Sequence, residues 1–219
     1  AITGTRPAAA QCAAGSSDNW RQRLWQTLGC AGPWRVALGF SMYSSQWLAV
    51  IGFLPAIYAA AGWQGSLVGV LTAIACLSNV SGNVAAGRLL HRGVAPRRLL
   101  YVGFGAMALA TLVAFGEFTA SAPLLRYVAV LVFSAVGGLI PATMFSLAVQ
   151  VAPSERTVST TVGWMQQCSS TGQFFGPPLV AWVAAQAGGW QWTWVLTGLT
   201  SLAGLWLARQ LHFEPQRAA

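Results

Sequence analysis

The chain has 219 residues, 55% of them apolar and only 7% charged. A soluble domain carries about a quarter charged residues, so this composition cannot solvate the surface of a folded globule, and lipid is the expected solvent. The formal net charge is +8, with every basic residue an Arg, but the arginines sit at the ends of apolar runs rather than in a patch interleaved with aromatics, which argues against a nucleic-acid partner.

Residues 1–33 are rich in Ala, Gly and Ser and carry Arg6, Asp18, Arg21 and Arg23. They are expected to form a cytoplasmic linker, partly disordered, with a short surface-lying helix around Trp20–Leu28. No short apolar core with a small-residue cleavage site follows Arg6, so the segment is not a secretory signal. The first residue is Ala rather than Met, and the expectation is a chain that continues from a larger protein.

Six long apolar segments follow, at 36–60, 66–86, 99–116, 124–151, 158–185 and 191–208. A helix needs about 20 apolar residues to cross the hydrocarbon. Strands cannot compete, because no period-two alternation is present and a lone strand leaves its amides unpaired in lipid. The expected fold is all-α: a polytopic membrane domain of six transmembrane helices over 34–211, then a cytoplasmic tail over 212–219. Pro55, Pro141, Pro177 and Pro178 fall inside these segments. Membrane helices tolerate proline where neighbours satisfy the freed carbonyl.

The expected connections are short, at 61–65, 87–98, 117–123, 152–157 and 188–190, and their charge alternates. Arg35 precedes the first helix, Arg88, Arg92, Arg97 and Arg98 fill the second connection, Arg156 the fourth, and Arg209 and Arg217 follow the last helix. Arg126 alone falls at the opposite face. The positive-inside rule then places both termini in the cytoplasm, and the expected location is the bacterial inner membrane. Trp63, Trp190, Trp192 and Trp194 gather at the outer ends as an aromatic belt, and Arg126 is expected to snorkel to the headgroups there.

A short internal repeat links the first and fourth segments: Gly52-Phe-Leu-Pro55-Ala56 and Gly138-Leu-Ile-Pro141-Ala142. Two three-helix units of inverted topology are a recurrent transporter plan. Apart from Thr and Tyr, segments three and six carry few strong hydrogen-bonding groups, whereas one, two, four and five carry more Gln, Asn or Ser. The expectation is that three and six face lipid and the others a polar interior.

The fifth segment holds the clearest candidate pathway. Gln166, Ser169, Ser170, Gln173 and Pro177 fall on one helical face. A polar stripe facing lipid is costly, so this face meets protein or water. It reads equally as a solute pathway and as hydrogen-bonded packing between helices. Gly172, Gly176 and Pro177 lie beside it, their small residues allowing a close helix approach and the proline bending or loosening the helix. In the second segment Asn79, Gly82, Asn83 and Ala86 form a similar narrow face. The first offers Tyr43 and Gln46 one turn apart, with Tyr43 reading equally as a core tyrosine.

No other chemistry is expected. Cys12, Cys30, Cys76 and Cys168 form no C-x-x-C pair, and His91 and His212 belong to no cluster of metal-ligand spacing. The reading is no metal, no cofactor and no catalytic residue. Buried serines have no His or carboxylate beside them in the helices to activate a nucleophile. Asp18, Glu117, Glu155 and Glu214 all lie in loops or tails, so proton coupling through a buried carboxylate has no group to use in this chain.

The run Gly87-Arg-Leu-Leu-His91-Arg92-Gly-Val-Ala-Pro-Arg97-Arg98 resembles the loop signature that follows the second helix of each half in the major facilitator superfamily. Gly87, Arg92, Arg97 and Arg98 match it. His91 stands where the family has Asp, and one residue is inserted before Arg97. The Gly172/Gly176/Pro177 run is similar to the family's fifth-helix G-x-x-x-G-P motif. The resemblance covers about 34–211. It implies one six-helix half of a twelve-helix secondary transporter working by alternating access, the carboxy-terminal half, with the amino-terminal half as the runner-up. Its expected partners are the bilayer, a small solute and the second half. The alternative is a non-transporting scaffold or an incomplete fragment that needs a partner half.

Overall fold

A computed structural model describes residues 19–63 and 65–211. Among them every element is helical: α1 Trp20–Leu28, α2 Ala31–Ala60, α3 Ser66–His91, α4 Pro96–Phe115, α5 Pro123–Gly137, α6 Leu139–Gln150, α7 Val158–Ala187 and α8 Thr193–Gln210. Single 3-10 turns at Glu117–Thr119, Glu155–Thr157 and Trp190–Trp192 join them. The expected disorder of the leading residues and the expected tail lie outside the described residues, except for α1, which has the anticipated bounds.

The helix ends differ from expectation for reasons of capping. Asn19 caps α1 by accepting from the Arg21 amide, and the Trp34 indole N–H donates to the Leu28 carbonyl at its other end. The first long helix begins at Ala31 rather than 36, because Pro33 sits in its first turn, where no N–H is needed. The second runs on to His91, with Arg88 and His91 in a last turn whose dipole favours cations. Pro96 opens α4 for the same reason as Pro33. The expected loop over 87–98 is therefore corrected to 92–95: Gly87 lies on α3, and Arg97 and Arg98 open α4.

The fourth segment is two helices rather than one. α5 stops at Gly137, Gly138 caps it, and α6 begins at Leu139. Pro141 offers no N–H to the carbonyl four residues back, and its ring crowds that carbonyl, so the helix breaks just ahead of it. The equivalent Pro55 interrupts nothing: α2 continues through it. In α7 the helix also continues past Pro177 and Pro178.

Four helical stretches among the described residues are long and apolar enough to cross a membrane: Ala31–Ala59, Ser66–His91, Pro96–Phe115 and Pro123–Gln150. The remaining two, α7 and α8, have 30 and 18 residues. Gln166, Gln167, Ser169, Ser170, Thr171 and Gln173 dilute the apolar character of α7, as Thr193, Thr197, Thr200, Ser201 and Arg209 do that of α8.

α2 packs most closely on α7, and α4 on α8 and α5. α3 lies against α5 and α6, and α2 also meets α8. The shared core is built from Val36, Leu54, Leu100, Phe104, Phe133 and Met165, all nearly or wholly inaccessible. The Phe104 ring seats against Gly204 of α8. α4 thus contributes to the centre while Tyr101, Val102 and Leu109 stay exposed on its outer side, as do Leu199, Leu202 and Trp206 on α8. At one end of the bundle the Arg35 guanidinium donates to the Gln210 carbonyl at 3.0 Å, bringing the start of α2 beside the end of α8. α1 packs there on the turn at Glu155–Thr157.

Candidate functional site

Two helix crossings organise the polar residues. In the first, α7 lies on α2 so closely that a Cβ at Gly172 would overlap Ser41, and one at Gly176 would come within 2.7 Å of the Ser45 carbonyl oxygen. Only glycine fits at such a contact, and the approach lets side chains reach backbone across it. The Ser44 hydroxyl donates to the Ser169 carbonyl at 3.3 Å. Ser169, Gly172, Gly176 and Val180 form the inner face of α7.

The expected single stripe on α7 is therefore divided. Ser169 is buried in the crossing. Gln166, Ser170 and Gln173 lie one step round the helix and are exposed, with Gln167, Thr171, Phe174 and Phe175 extending the same open side. The Gln173 amide donates to the Ser169 hydroxyl at 3.1 Å, joining the two faces. Pro177 is half-buried beside them.

In the second crossing α3 meets the junction of α5 and α6. A Cβ on Gly82 would overlap the Ala135 carbonyl, and one on Gly138 the Asn79 carbonyl. Around this contact runs a connected set of hydrogen bonds. The Asn83 amide donates to the Asn79 side-chain oxygen at 2.9 Å. The Asn79 amide donates in turn to the Tyr43 hydroxyl at 3.0 Å and to the Ser134 carbonyl at 2.8 Å. The Trp47 indole donates to the Ser134 hydroxyl at 3.3 Å. Asn79 thus uses both amide protons and its oxygen and ties α2, α3 and α5 together.

Gln46 lies apart from this set. It is almost wholly buried, its amide donates to the Met42 carbonyl at 3.1 Å, and its oxygen accepts from the Ser201 hydroxyl of α8 at 3.0 Å. The structure accordingly brings Tyr43, Asn79 and Asn83 together, places Gln46 in the α2–α8 interface, and leaves Gln166, Ser170 and Gln173 on an open face. Every one of these groups is neutral. Sequence reasoning passed over Ser134, Trp47 and Ser201. Ser134 stands alone in an apolar run, so nothing in the sequence singled it out; Ser201 follows Thr193 and Thr197 at four-residue spacing, a signal that was available. Ser41, Ser44 and Ser45, spaced for one helical face, were the available signal for the α2–α7 crossing.

The arginine-rich connection is exposed. Arg97 folds back on its own helix, its Nε donating to the Tyr101 hydroxyl at 2.9 Å and its guanidinium lying 5.3 Å from that ring's centre. Arg88, His91, Arg92 and Arg98 stand in the open, and Gly87 has nothing within 4 Å of a Cβ position. No carboxylate pairs with these arginines among the described residues.

Arg126, expected to snorkel, is anchored at the end of α4. Its Nη2 donates to the Gly116 carbonyl at 2.7 Å and its Nε to the Thr119 hydroxyl at 3.2 Å. A cation thereby closes the negative end of α4, and those two acceptors hold the side chain inward. No group of His, Cys, Asp and Glu able to hold a metal ion is present among the described residues.

No curated protein matches the sequence. The sequence model of the Major Facilitator Superfamily matches residues 36–218, from the first turns of α2 to beyond α8. That span takes in both crossings, the arginine-rich connection and every long helix, so this multi-pass membrane chain belongs to the Major Facilitator Superfamily, whose members carry small solutes across membranes.

Proposed function

We propose that the chain is one six-helix half, the carboxy-terminal one, of a twelve-helix secondary transporter that moves a small neutral or polar solute by alternating access. The observation that carries this reading is the open face of α7. Gln166, Gln167, Ser170 and Gln173 are exposed on a helix whose adjoining face is locked onto α2. An amide facing hydrocarbon without a partner costs roughly 2–7 kcal/mol, so four polar side chains on one face need water or protein against them. A solute cavity closed by a second half supplies both. The polar set on α2 and α3, with Asn83 only half-buried, extends the same neutral lining.

The helix pairing supports six crossings arranged as two inverted units. If α2, α3 and α4 correspond to α5–α6, α7 and α8, the α2–α7 pair corresponds to the packing of α3 on α5 and α6, and the α4–α8 pair maps onto itself. Both of these crossings rest on glycines. The contact of Arg35 with Gln210 suits an even number of passes, and the clustering of arginines at that end suits a cytoplasmic position. The gating role of Gly87, Arg92, Arg97 and Arg98 belongs to the same reading: with no acid beside them among the described residues, the carboxylate they would pair with is assigned to the other half.

The test is uptake by cells or proteoliposomes holding the complete transporter, screened over neutral and polar solutes. Gln166→Leu and Gln173→Leu are expected to lower uptake at least tenfold, about 1.4 kcal/mol, while the protein stays folded in the membrane. Unchanged uptake in both variants would remove the α7 face as a pathway. If the chain is instead a scaffold, it binds its partner half but no solute moves.

A further inference from the structure

At the end of the bundle opposite Arg35 and Gln210, a cavity of about 490 Å³ lies between α2, α4, α5 and the turn before α8. Small-molecule sites span about 300–1,000 Å³. This one sits inside a single six-helix unit, apart from the open face of α7. Leu54, Val130 and Phe115 give it apolar walls, and Trp63 and Trp190 add amphipathic ones.

Two polar residues that line this cavity are incompletely used. Arg126 commits Nε and Nη2 to Thr119 and Gly116 and has no other hydrogen bond and no ion pair among the described residues. The Tyr58 hydroxyl is buried, the residue being 8% exposed, and has no hydrogen-bond partner among the described residues. Buried polar groups in folded proteins are nearly always satisfied, and a cation among apolar walls favours an anion beside it. A guanidinium edge and a phenol are both donors. Together with long apolar walls they suit a carboxylate or phosphate carried on an alkyl body.

We propose that this cavity binds an amphipathic anion, its head on Arg126 and Tyr58 and its alkyl part along Leu54 and Val130. The occupant is either a phospholipid of the adjoining leaflet or a free amphiphilic acid. The site does not depend on a second half covering α3 and α7.

Decanoate is the probe, with decanol as its neutral counterpart, and binding is measured by calorimetry on the full chain in phosphatidylcholine nanodiscs. Decanoate is expected to bind saturably and decanol not. Arg126→Gln and Tyr58→Phe should each weaken decanoate about tenfold, and Ala120→Trp, which fills the cavity from an exposed wall residue, should abolish binding. Because Arg126 also closes α4, Tyr58→Phe is the decisive variant: it removes a hydroxyl that holds nothing else in the fold. Phosphatidylglycerol nanodiscs separate the two sources. A lipid occupant competes with decanoate there and is retained in native mass spectrometry of the unaltered chain but not of Tyr58→Phe; a free acid binds equally in both discs. Absence of both saturable decanoate binding and retained phosphatidylglycerol overturns the proposal. So does binding that is unchanged in Tyr58→Phe and Ala120→Trp.

Discussion

α2 and α3 are consecutive, of similar length, and both apolar enough to cross a bilayer, yet they are treated in opposite ways. In their most apolar stretches 67% of α2 is buried against 11% of α3, and α3 is the more apolar of the two. In water that order would be reversed, because burial follows apolar character. In lipid the solvent is as apolar as leucine, so hydrophobicity gives no reason to be inside. What α2 has instead is Ser44 and Gln46, which find partners on α7 and α8, and Ser41 and Ser45, against which Gly172 and Gly176 of α7 seat closely. What α3 has is Leu67, Val70, Ile74, Leu77, Val80 and Val84 on an exposed side and a narrow seam of Ala75, Gly82 and Ala86 on the buried one.

The sharpest way to break this comparison is within α3 itself. Gly82→Val drives a side chain into the Ala135 carbonyl and should destabilise the fold by about 3 kcal/mol, whereas Gly69→Val, with nothing within 4 Å, should change it by less than about 0.5 kcal/mol. Reversible unfolding in mixed micelles measures both, and equal effects would mean that the seam does not hold α3. Next comes Gly172→Val on the α2–α7 crossing, expected to cost about 2 kcal/mol and to be read the same way against Gly163→Val, whose surroundings are open. Smaller effects belong to the hydrogen bonds. Asn79→Leu strips Asn83, Tyr43 and the Ser134 carbonyl of a partner and should cost about 1.5 kcal/mol. Gln46→Leu orphans only Ser201 and should cost about 0.6 kcal/mol, in line with hydrogen bonds between membrane helices. If the Gln46 variant is the more damaging, polar contacts on the buried helix outweigh the connected set beside α3.

Much of this architecture was open to reading in advance, and the reason lies in which interactions are local. The bounds of α1 follow from Asn19 and a run of good helix formers. The break before α6 was not legible, since Pro141 reads as tolerated within one segment and only its context distinguishes it from Pro55. The pairing of Asn79 with Asn83 is a matter of spacing on one helix. The extra turn of α3 was missed because Arg88 and His91 look like loop chemistry, when a helix end accepts cations readily. The candidate site was legible in its residue types and not in its connections. Gln46 and Ser201 are separated by 155 positions, and no pattern in either segment points to the other. The α7 stripe was visible as polar, but its division follows from where α2 lies, a fact of packing. The anchors of Arg126 were hidden for the same reason, since its acceptors become available only once α4 ends at Gly116.

The bond from Arg35 to Gln210 has one further implication, for protein engineering. It leaves the first and last long helices so near each other that a linker of a few residues would join them, each residue spanning up to about 3.5 Å. The unit from α2 to α8, taken by itself, is therefore suited to circular permutation, with new ends opened at the exposed turn around Glu117 and Phe118. Geometry would not oppose the rearranged order, α5–α8 followed by α2–α4. The obstacle would be membrane insertion, because the Arg35-bearing start of α2 would no longer lead the helices, and basic residues beside the first helix weigh most on orientation.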